Sequence, residues 1–418
     1  MNRAQDAYSR VSQSLPMLRG WAILWIVAYH LMGNTRGYLD LSGAIATFSK
    51  GGLKNIVDPA LELFIAAGST GVNVFLIISG FGLTASWWKK YGSQGIEEIP
   101  LLLFLRRRVL RIVPLFWAAV AIALLLYFLN SAYAPFGQDI WQEGALAPLF
   151  AIFTTLTTLR NFIPDHYYFL NGAWWYVGLS IQLYLIFPFL IRIGCRYGWL
   201  KLLVLSFLFS LFYRAAFLFS PIGGSEDLIP LAFFPSRLFE FTFGIYLAML
   251  CLQPSGKFQA NESVSGSLIS GSLINLLLNP RLIPVSLGLF LIGLSFKWST
   301  YAALVAPSDA LIGVGLFCGL VAISQAKPFR LNWLGCDRLS RFIGKYSYGI
   351  YLTHMNSYLV LWPVAAAWVP SYWIRFAIVT IACCIAGFLF ETGFSACQRT
   401  LNSDRKTAVQ PSPSPRSE

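Results

Sequence analysis

Charged residues are scarce in this chain of 418 amino acids, at 12% of the sequence, whereas about a quarter of a typical soluble domain is charged. Acidic residues are rarer than basic ones, with 18 Asp and Glu against 31 Lys and Arg, and histidine occurs three times. The seven cysteines form no CxxC pair and lie mostly in or beside apolar segments. That spacing disfavours a disulfide framework and a zinc site. The scarcity of charged residues excludes an ordinary soluble domain. Because the cysteine spacing disfavours a zinc site, no metal is expected.

Hydrophobic residues take up 56% of the sequence instead, and apolar stretches near or above the roughly 20 residues that cross a bilayer recur along it. We therefore predict an all-α, polytopic transmembrane helical bundle of about ten spans. One membrane domain occupies residues 15–397, between a cytoplasmic segment at 1–14 and a disordered cytoplasmic tail at 398–418. The predicted spans are 15–33, 61–86, 109–129, 173–193, 199–220, 231–252, 282–296, 302–324, 347–369 and 372–396.

The net charge of +13 does not indicate nucleic acid, because the basic residues occur in short clusters between apolar spans and not along one stripe. With ten spans and a cytoplasmic N-terminus, most Lys and Arg residues fall on the cytoplasmic side. This is the positive-inside pattern, and it places both termini in the cytoplasm.

Three regions outside the spans need separate interpretation. The segment 145–159 is short and rich in threonine, which favours a re-entrant or interfacial helix and leaves an eleventh span as the alternative. The long loops at 31–60 and 130–172 face the other side of the membrane and form either a lid or an acceptor cleft. The polar stretch 254–272 is expected to be a flexible linker.

The first span contains two residues whose side chains are energetically costly to place inside a membrane, Arg19 and His30. They are eleven residues apart, which at about 100° per residue returns to almost the same helix face, roughly 16 Å further along. Arg19 alone is compatible with snorkelling, and His30 alone with a hydrogen bond to a neighbouring helix. Their shared face favours a functional pair. Histidine suits proton removal from a hydroxyl, and Arg19, nearer the cytoplasm, suits an anionic group.

The segment containing this pair, LRGWAILWIVAYH, resembles the opening signature of the acyltransferase 3 family of membrane O-acyltransferases. Four later segments agree with the family in order, and together the five span nearly the whole chain. They are GVNVFLIISGF (71–81), FLRRRVLRIVPLFW (104–117), WYVGLSIQLYLIFP (175–188) and YSYGIYLTH (346–354). Many members have acidic residues near positions 180 and 181, where this chain has Ser180 and Ile181, so it is assigned to a different branch.

The basic motif allows two interpretations. Arg108 and Arg111 lie three residues apart on one face at the predicted cytoplasmic mouth of the third span, and such a fork suits phosphates. The resemblance implies that they bind coenzyme A or have a structural role where the donor enters. Arg106 and Arg107 fit the simpler interpretation, in which they fix topology.

Two further candidates for catalysis lie later in the chain. Arg237 and Glu240 are spaced for an ion pair within the sixth span, which serves either as a structural clamp or to position His30 or the substrate. His354 shares its span with a polar set that includes Tyr348. The remaining substrate-binding candidates come from the family motifs and are Asn73, Ser79 and Trp175. Members of the family commonly have an acidic residue at the position of Asn73.

The resemblance implies transfer of an acyl group, acetyl in the first place, from cytoplasmic acyl-CoA to a hydroxyl of a sugar, glycan or glycolipid in the bacterial inner membrane. His30 is the predicted base, and Arg19, Arg108 and Arg111 are predicted to hold the donor. Direct transfer and a covalent acyl-histidine both stay open, as does the oligomeric state. A transporter or flippase is the competing class, because buried Arg, Glu and His also serve translocation pathways. A scaffold or sensor would leave the Arg19 and His30 face unexplained.

Overall fold

The computed structural model describes residues 3–38, 43, 46–47, 49–92, 100–219, 232–252, 279–326 and 336–408. Within these ranges the regular structure is helical and contains no strand, which confirms the all-α prediction. A backbone in lipid has to satisfy its N–H and C=O groups internally, and helices do so. The α-helices are α1 (Arg3–Thr35), α2 (Leu53–Ala66), α3 (Gly71–Tyr91), α4 (Leu101–Leu129), α5 (Leu146–Leu156), α6 (Trp175–Tyr197), α7 (Trp199–Leu218), α8 (Leu238–Leu252), α9 (Ile283–Lys297), α10 (Ala302–Gln325), α11 (Cys336–Lys345), α12 (Ser347–Trp368) and α13 (Tyr372–Ala408).

Eight helical segments among the described residues are long and apolar enough to cross a membrane. Eight of the ten predicted spans correspond to them, with α2 and α3 forming one continuous segment. The other two predicted spans are α8 and α12. Helix α8 has 15 residues, which is about 22 Å, and α12 has 22 residues but several polar side chains. Helix α8 and the first half of α12, up to Tyr358, are packed inside the bundle, where polar side chains can find partners within the protein.

Helix α1 lies at the centre of the bundle, packed against α3, α8, α10, α11, α12 and α13. It begins at Arg3, well before the predicted span start at residue 15. Ala7 and Val11 of this extension are fully buried among residues of the hydrophobic core. Residues with functional potential on α1 are therefore surrounded by other helices and face the bundle interior.

Close packing of α3 on α8 depends on glycine. A Cβ at Gly80 would collide with the backbone carbonyl of Phe241, and a Cβ at Gly244 would collide with that of Ile77. Small residues at such crossings let two membrane helices approach closely. The glycines of the 71–81 motif thus fix the position of α3.

The segments between the predicted spans differ from expectation in two places. Helix α5, within 145–159, has 11 residues and is too short to cross, so an eleventh span is wrong there. Helix α13 continues to Ala408, beyond the predicted start of the tail at residue 398. The predicted linker at 254–272 and the last residues of the tail lie outside the described residues.

Candidate active site

A cavity of about 650 Å³ lies among α1, α3, α4, α6, α12 and α13, and its walls are strongly basic. Four cations line it: Arg19, Arg108, Arg111 and Lys345. Glu391 is the one carboxylate among the described lining residues, and it accepts a hydrogen bond from the backbone N–H of Gly349 at 2.8 Å. The cavity therefore carries a net positive charge that suits a polyanionic ligand.

The four arginines of the basic motif on α4 fall into two pairs, as their spacing along the helix predicts. Arg108 and Arg111 line the cavity, and the Arg108 guanidinium lies 5.5 Å from the centre of the Phe104 ring, which orients it. Arg106 and Arg107 are exposed and do not line the cavity. Arg19 joins the first pair across the cavity from α1, so three of the predicted donor-binding residues meet in one place.

Two of the predicted substrate-binding residues also line the cavity, Ser79 from α3 and Tyr348 from α12. The Tyr348 hydroxyl donates to the backbone carbonyl of Ile112 at 3.0 Å, which ties α12 to α4. Ile26, Phe75, Tyr176 and Tyr351 form an uncharged part of the cavity wall, which we call its inner end. The Tyr176 ring centre lies 6.3 Å from that of Phe75 and 5.8 Å from that of Tyr351.

The two predicted histidines are not among the lining residues of the cavity, but they meet next to residues of its inner end. His30 lies one helical turn after Ile26, and His354 lies three residues after Tyr351. Nε2 of His354 and Nδ1 of His30 are 3.0 Å apart, which is a hydrogen-bond distance. Arg19 and His30 share one unbroken helix, α1. The basic cavity therefore leads from Arg19 towards a pair of imidazoles.

Backbone contacts of His354 define which nitrogens carry protons. Its Nδ1 lies 2.8 Å from the Tyr351 carbonyl and 3.2 Å from the Ile350 carbonyl, and because carbonyls only accept, Nδ1 holds the proton. Nε2 of a neutral His354 is then an acceptor, so the Nδ1–H of His30 donates to it. That leaves the Nε2 lone pair of His30 available as a base.

The predicted ion pair of Arg237 and Glu240 forms, at 3.4 Å, but it belongs to a larger buried network. At the centre of that network is Asp309 of α10, whose Oδ2 lies 2.6 Å from Nη1 of Arg237 and is also paired with Arg214. Lys297 lies 3.9 Å from the other carboxylate oxygen. We call these five residues the ion cluster.

The ion cluster does not line the basic cavity. Its members come from α7, α9, α10 and the start of α8, and the Arg214, Arg237, Glu240 and Asp309 side chains are each less than 10% exposed. The structure thus favours the clamp interpretation of Arg237 and Glu240. Asp309 and Arg214 were missed from the sequence, although each is an isolated charge in an apolar stretch, which is the signal that identified Arg19.

Comparison with known proteins identifies the family. The sequence profile of the acyltransferase 3 family, described as an acyltransferase domain, matches residues 13–391, which is nearly the whole chain. The chain belongs to the acyltransferase 3 family. Several of its helices are long and apolar enough to cross a bilayer, as expected of an integral membrane protein.

One curated protein aligns with part of this chain. The regulator of hypoxia-inducible factor 1 of Caenorhabditis elegans is 24% identical over 248 residues, which cover 56% of this chain and 46% of that protein. The chain thus aligns with about half the length of this curated relative. No solved structure matches this chain.

Two other predicted substrate-binding residues lie away from the cavity. The Asn73 side chain donates to the backbone carbonyl of Asp309 at 3.0 Å and to its carboxylate at 3.2 Å. The Trp175 carbonyl accepts from the Asn161 side chain at 2.8 Å, and Trp175 does not line the cavity. Asn73 is therefore a partner of the ion cluster, and Tyr176, the neighbour of Trp175, is the residue that reaches the cavity.

The segment at 130–174 packs over the histidine pair from the opposite side. Asn171 donates at 2.7 Å to the side chain of Asn356, which lies two residues after His354. Arg160, 1% exposed, donates to the backbone carbonyls of Tyr167 and Asn171, and burial lowers the pKa of its guanidinium to about 10. These buried contacts give this segment a defined structure next to the imidazoles.

Proposed function

We propose that this membrane acyltransferase moves an acetyl group from acetyl-CoA to a hydroxyl of a sugar, in a glycan or glycolipid at the bacterial inner membrane. The observation that carries the proposal is the basic cavity lined by the Arg19, Arg108 and Arg111 side chains, whose inner end is adjacent in sequence to a hydrogen-bonded histidine pair. Family membership supplies the acyl-transfer chemistry. The positive charge of the cavity supports acetyl-CoA as the donor, and the hydrogen bond between the histidines supports His30 as the base. The composition of the 130–174 segment supports a sugar acceptor.

Coenzyme A fits the charge of the cavity. It carries phosphates at one end and its reactive thioester at the other, so a basic mouth and a neutral inner end match its two ends. Guanidinium groups bind phosphate oxygens through paired, charge-assisted hydrogen bonds. In this arrangement Arg19, Arg108, Arg111 and Lys345 hold the phosphates, and the acyl group points towards Tyr351 and the histidine pair. The mouth would face the cytoplasm, as the positive-inside pattern predicts.

His30 acts as the general base in this proposal. The free Nε2 takes the proton of the acceptor hydroxyl as the oxygen attacks the thioester carbonyl, and the resulting imidazolium returns that proton to the departing thiolate. His354 accepts the hydrogen bond from Nδ1 of His30 and so keeps the reactive nitrogen unprotonated. His354 is a positioning residue here. In this mechanism the acetyl group passes directly from the thioester to the acceptor hydroxyl, without a covalent acyl-histidine.

The acceptor would approach from the side opposite the donor. The 130–174 segment lies on that side, next to Asn356 and His354, and presents amide and aromatic side chains in place of positive charge. Sugars are recognised by such hydrogen-bonding groups and by aromatic ring faces. This composition supports a glycan or glycolipid acceptor.

The test uses purified protein in liposomes, acetyl-CoA labelled in the acetyl group, and glycan and lipid fractions as acceptors. The wild type is expected to transfer label, and His30→Gln is expected to transfer roughly 100- to 10,000-fold more slowly, the usual contribution of a general base. His166→Gln is the matched control, because His166 is buried in the 130–174 segment and does not line the cavity.

Each outcome of that experiment decides one part of the proposal. Transfer by His166→Gln at the wild-type rate, together with loss in His30→Gln, supports His30 as the base. Equal rates in the wild type and His30→Gln exclude it. A wild type that moves no label from any short acyl-CoA contradicts the proposed donor.

A further inference from the structure

The Tyr351 hydroxyl is a buried polar group in the wall of the cavity. The residue is 7% exposed and lines the inner end of the cavity, and its hydroxyl lies next to the backbone N–H of Tyr176 but has no acceptor for its own proton among the described residues. Leaving such a group unsatisfied costs about 1–3 kcal/mol. A phenylalanine would fill the same space without that cost, and because Tyr351 lines the cavity, a ligand bound there can supply the missing acceptor.

The position of Tyr351 is close to the proposed chemistry. Its ring centre lies 5.9 Å from that of His354 and 5.8 Å from that of Tyr176, and its own backbone carbonyl holds the Nδ1 proton of His354. Tyr351 is thus the cavity-lining residue directly next to the histidine pair on α12. A ligand atom that reaches the inner end of the cavity meets this hydroxyl before it meets His30.

The first turn of α6 lies at the same place, since Tyr176 lines the cavity one residue after the helix begins. Backbone N–H groups in a first turn have no intrahelical acceptor, and the helix dipole favours negative charge there. The backbone N–H of Tyr176 faces the Tyr351 hydroxyl, so the start of α6 polarises that hydroxyl and makes it a stronger donor. This arrangement favours an oxygen atom that gains negative charge during the reaction.

We infer that the Tyr351 hydroxyl donates a hydrogen bond to the thioester carbonyl oxygen of the acyl donor and stabilises the oxyanion that forms there. This inference rests on the proposed acyl transfer. The acceptor oxygen forms a bond to the carbonyl carbon while its proton passes to Nε2 of His30, and the π electrons move onto the carbonyl oxygen, next to Tyr351. Collapse restores the carbonyl, breaks the C–S bond and returns the proton to the thiolate.

Tyr358 offers a matched control on the same helix. It is 1% exposed, its hydroxyl also has no hydrogen-bond partner among the described residues, and it lies seven residues after Tyr351. It does not line the cavity. Replacing either tyrosine by phenylalanine removes one buried hydroxyl and nothing else, so a general effect of lost hydroxyls would appear in both variants.

The experiment measures kcat and the KM for acetyl-CoA in liposomes, with coenzyme A binding by calorimetry as a check of folding. Tyr351→Phe is expected to lower kcat roughly 100- to 1,000-fold at unchanged KM, as loss of one oxyanion donor does. Tyr358→Phe is expected to keep the wild-type kcat. With 4-aminophenylalanine at position 351, the amine is again a donor, and much of the kcat is expected to return.

Other results overturn the inference. If Tyr351→Phe keeps the wild-type kcat, or if both phenylalanine variants lose it equally, the hydroxyl is not an oxyanion donor. A rise in KM at constant kcat also overturns it, because the hydroxyl would then bind the ground state alone. When the wild type is active in these cases, the proposed function stands. A wild type that is inactive with every acyl-CoA overturns both.

Discussion

The basic cavity and the ion cluster use the same residue types in opposite ways. The cavity has four cations and one carboxylate among its described lining residues, and a volume of about 650 Å³ separates its walls. The ion cluster has three cations and two carboxylates in direct contact, with most of its side chains less than 10% exposed. The basic cavity therefore keeps positive charge that a ligand can neutralise, whereas the ion cluster keeps little charge without an opposite partner.

This difference shows how to interpret a charge inside a membrane protein. A buried charge is costly, and the protein offsets that cost with a partner within the fold or with a ligand that arrives later. Arg237 has its partner in Asp309. Arg19 has no ion pair among the described residues and faces the cavity instead, which is why we assign the donor to that side.

The largest expected effect is on the ion cluster. Asp309→Asn removes the carboxylate that contacts Arg214 and Arg237, and breaking a buried pair in this way costs about 3–5 kcal/mol of stability. We expect a much lower unfolding temperature in detergent and a low yield of folded protein. Tryptophan fluorescence during a thermal ramp measures this. An unchanged unfolding temperature would show that the cluster is no clamp.

The matched change in the cavity is expected to have a much smaller effect. Glu391→Gln also replaces a carboxylate by an amide, but the amide oxygen can still accept from the Gly349 N–H. Stability should change by less than about 1 kcal/mol, as for partly solvated pairs. Loss of the carboxylate should strengthen coenzyme A binding by about fivefold, because one repulsion with the phosphates disappears. Calorimetry measures the affinity, and a weaker affinity would contradict a phosphate site here.

Much of this arrangement was predictable from the sequence. Apolar runs predicted the helical fold, the spacing of Arg19 and His30 put them on one face of α1, and the spacing of Arg108 and Arg111 separated them from Arg106 and Arg107. Each of these predictions uses local periodicity within one helix. Whether these residues act as assigned stays a prediction.

Contacts between distant segments could not be predicted in the same way. His30 and His354 are 324 residues apart, and their hydrogen bond depends on how α1 packs on α12. The partner of Asn73 is Asp309, on a helix that the motifs do not include. Tyr351 lies within a motif, but that its hydroxyl has no acceptor among the described residues is visible only once its neighbours are placed.

The most direct test of the account is the affinity of purified protein for coenzyme A in two neighbouring arginine variants. Arg108 lines the cavity, whereas Arg106 lies two residues earlier on α4 and is exposed. Charge-assisted hydrogen bonds are worth about 1.5–3 kcal/mol, so Arg108→Gln is expected to weaken binding roughly 10- to 100-fold, and Arg106→Gln to leave it unchanged. Equal dissociation constants for the two variants, or no binding by the wild type, would contradict a donor site in the basic cavity.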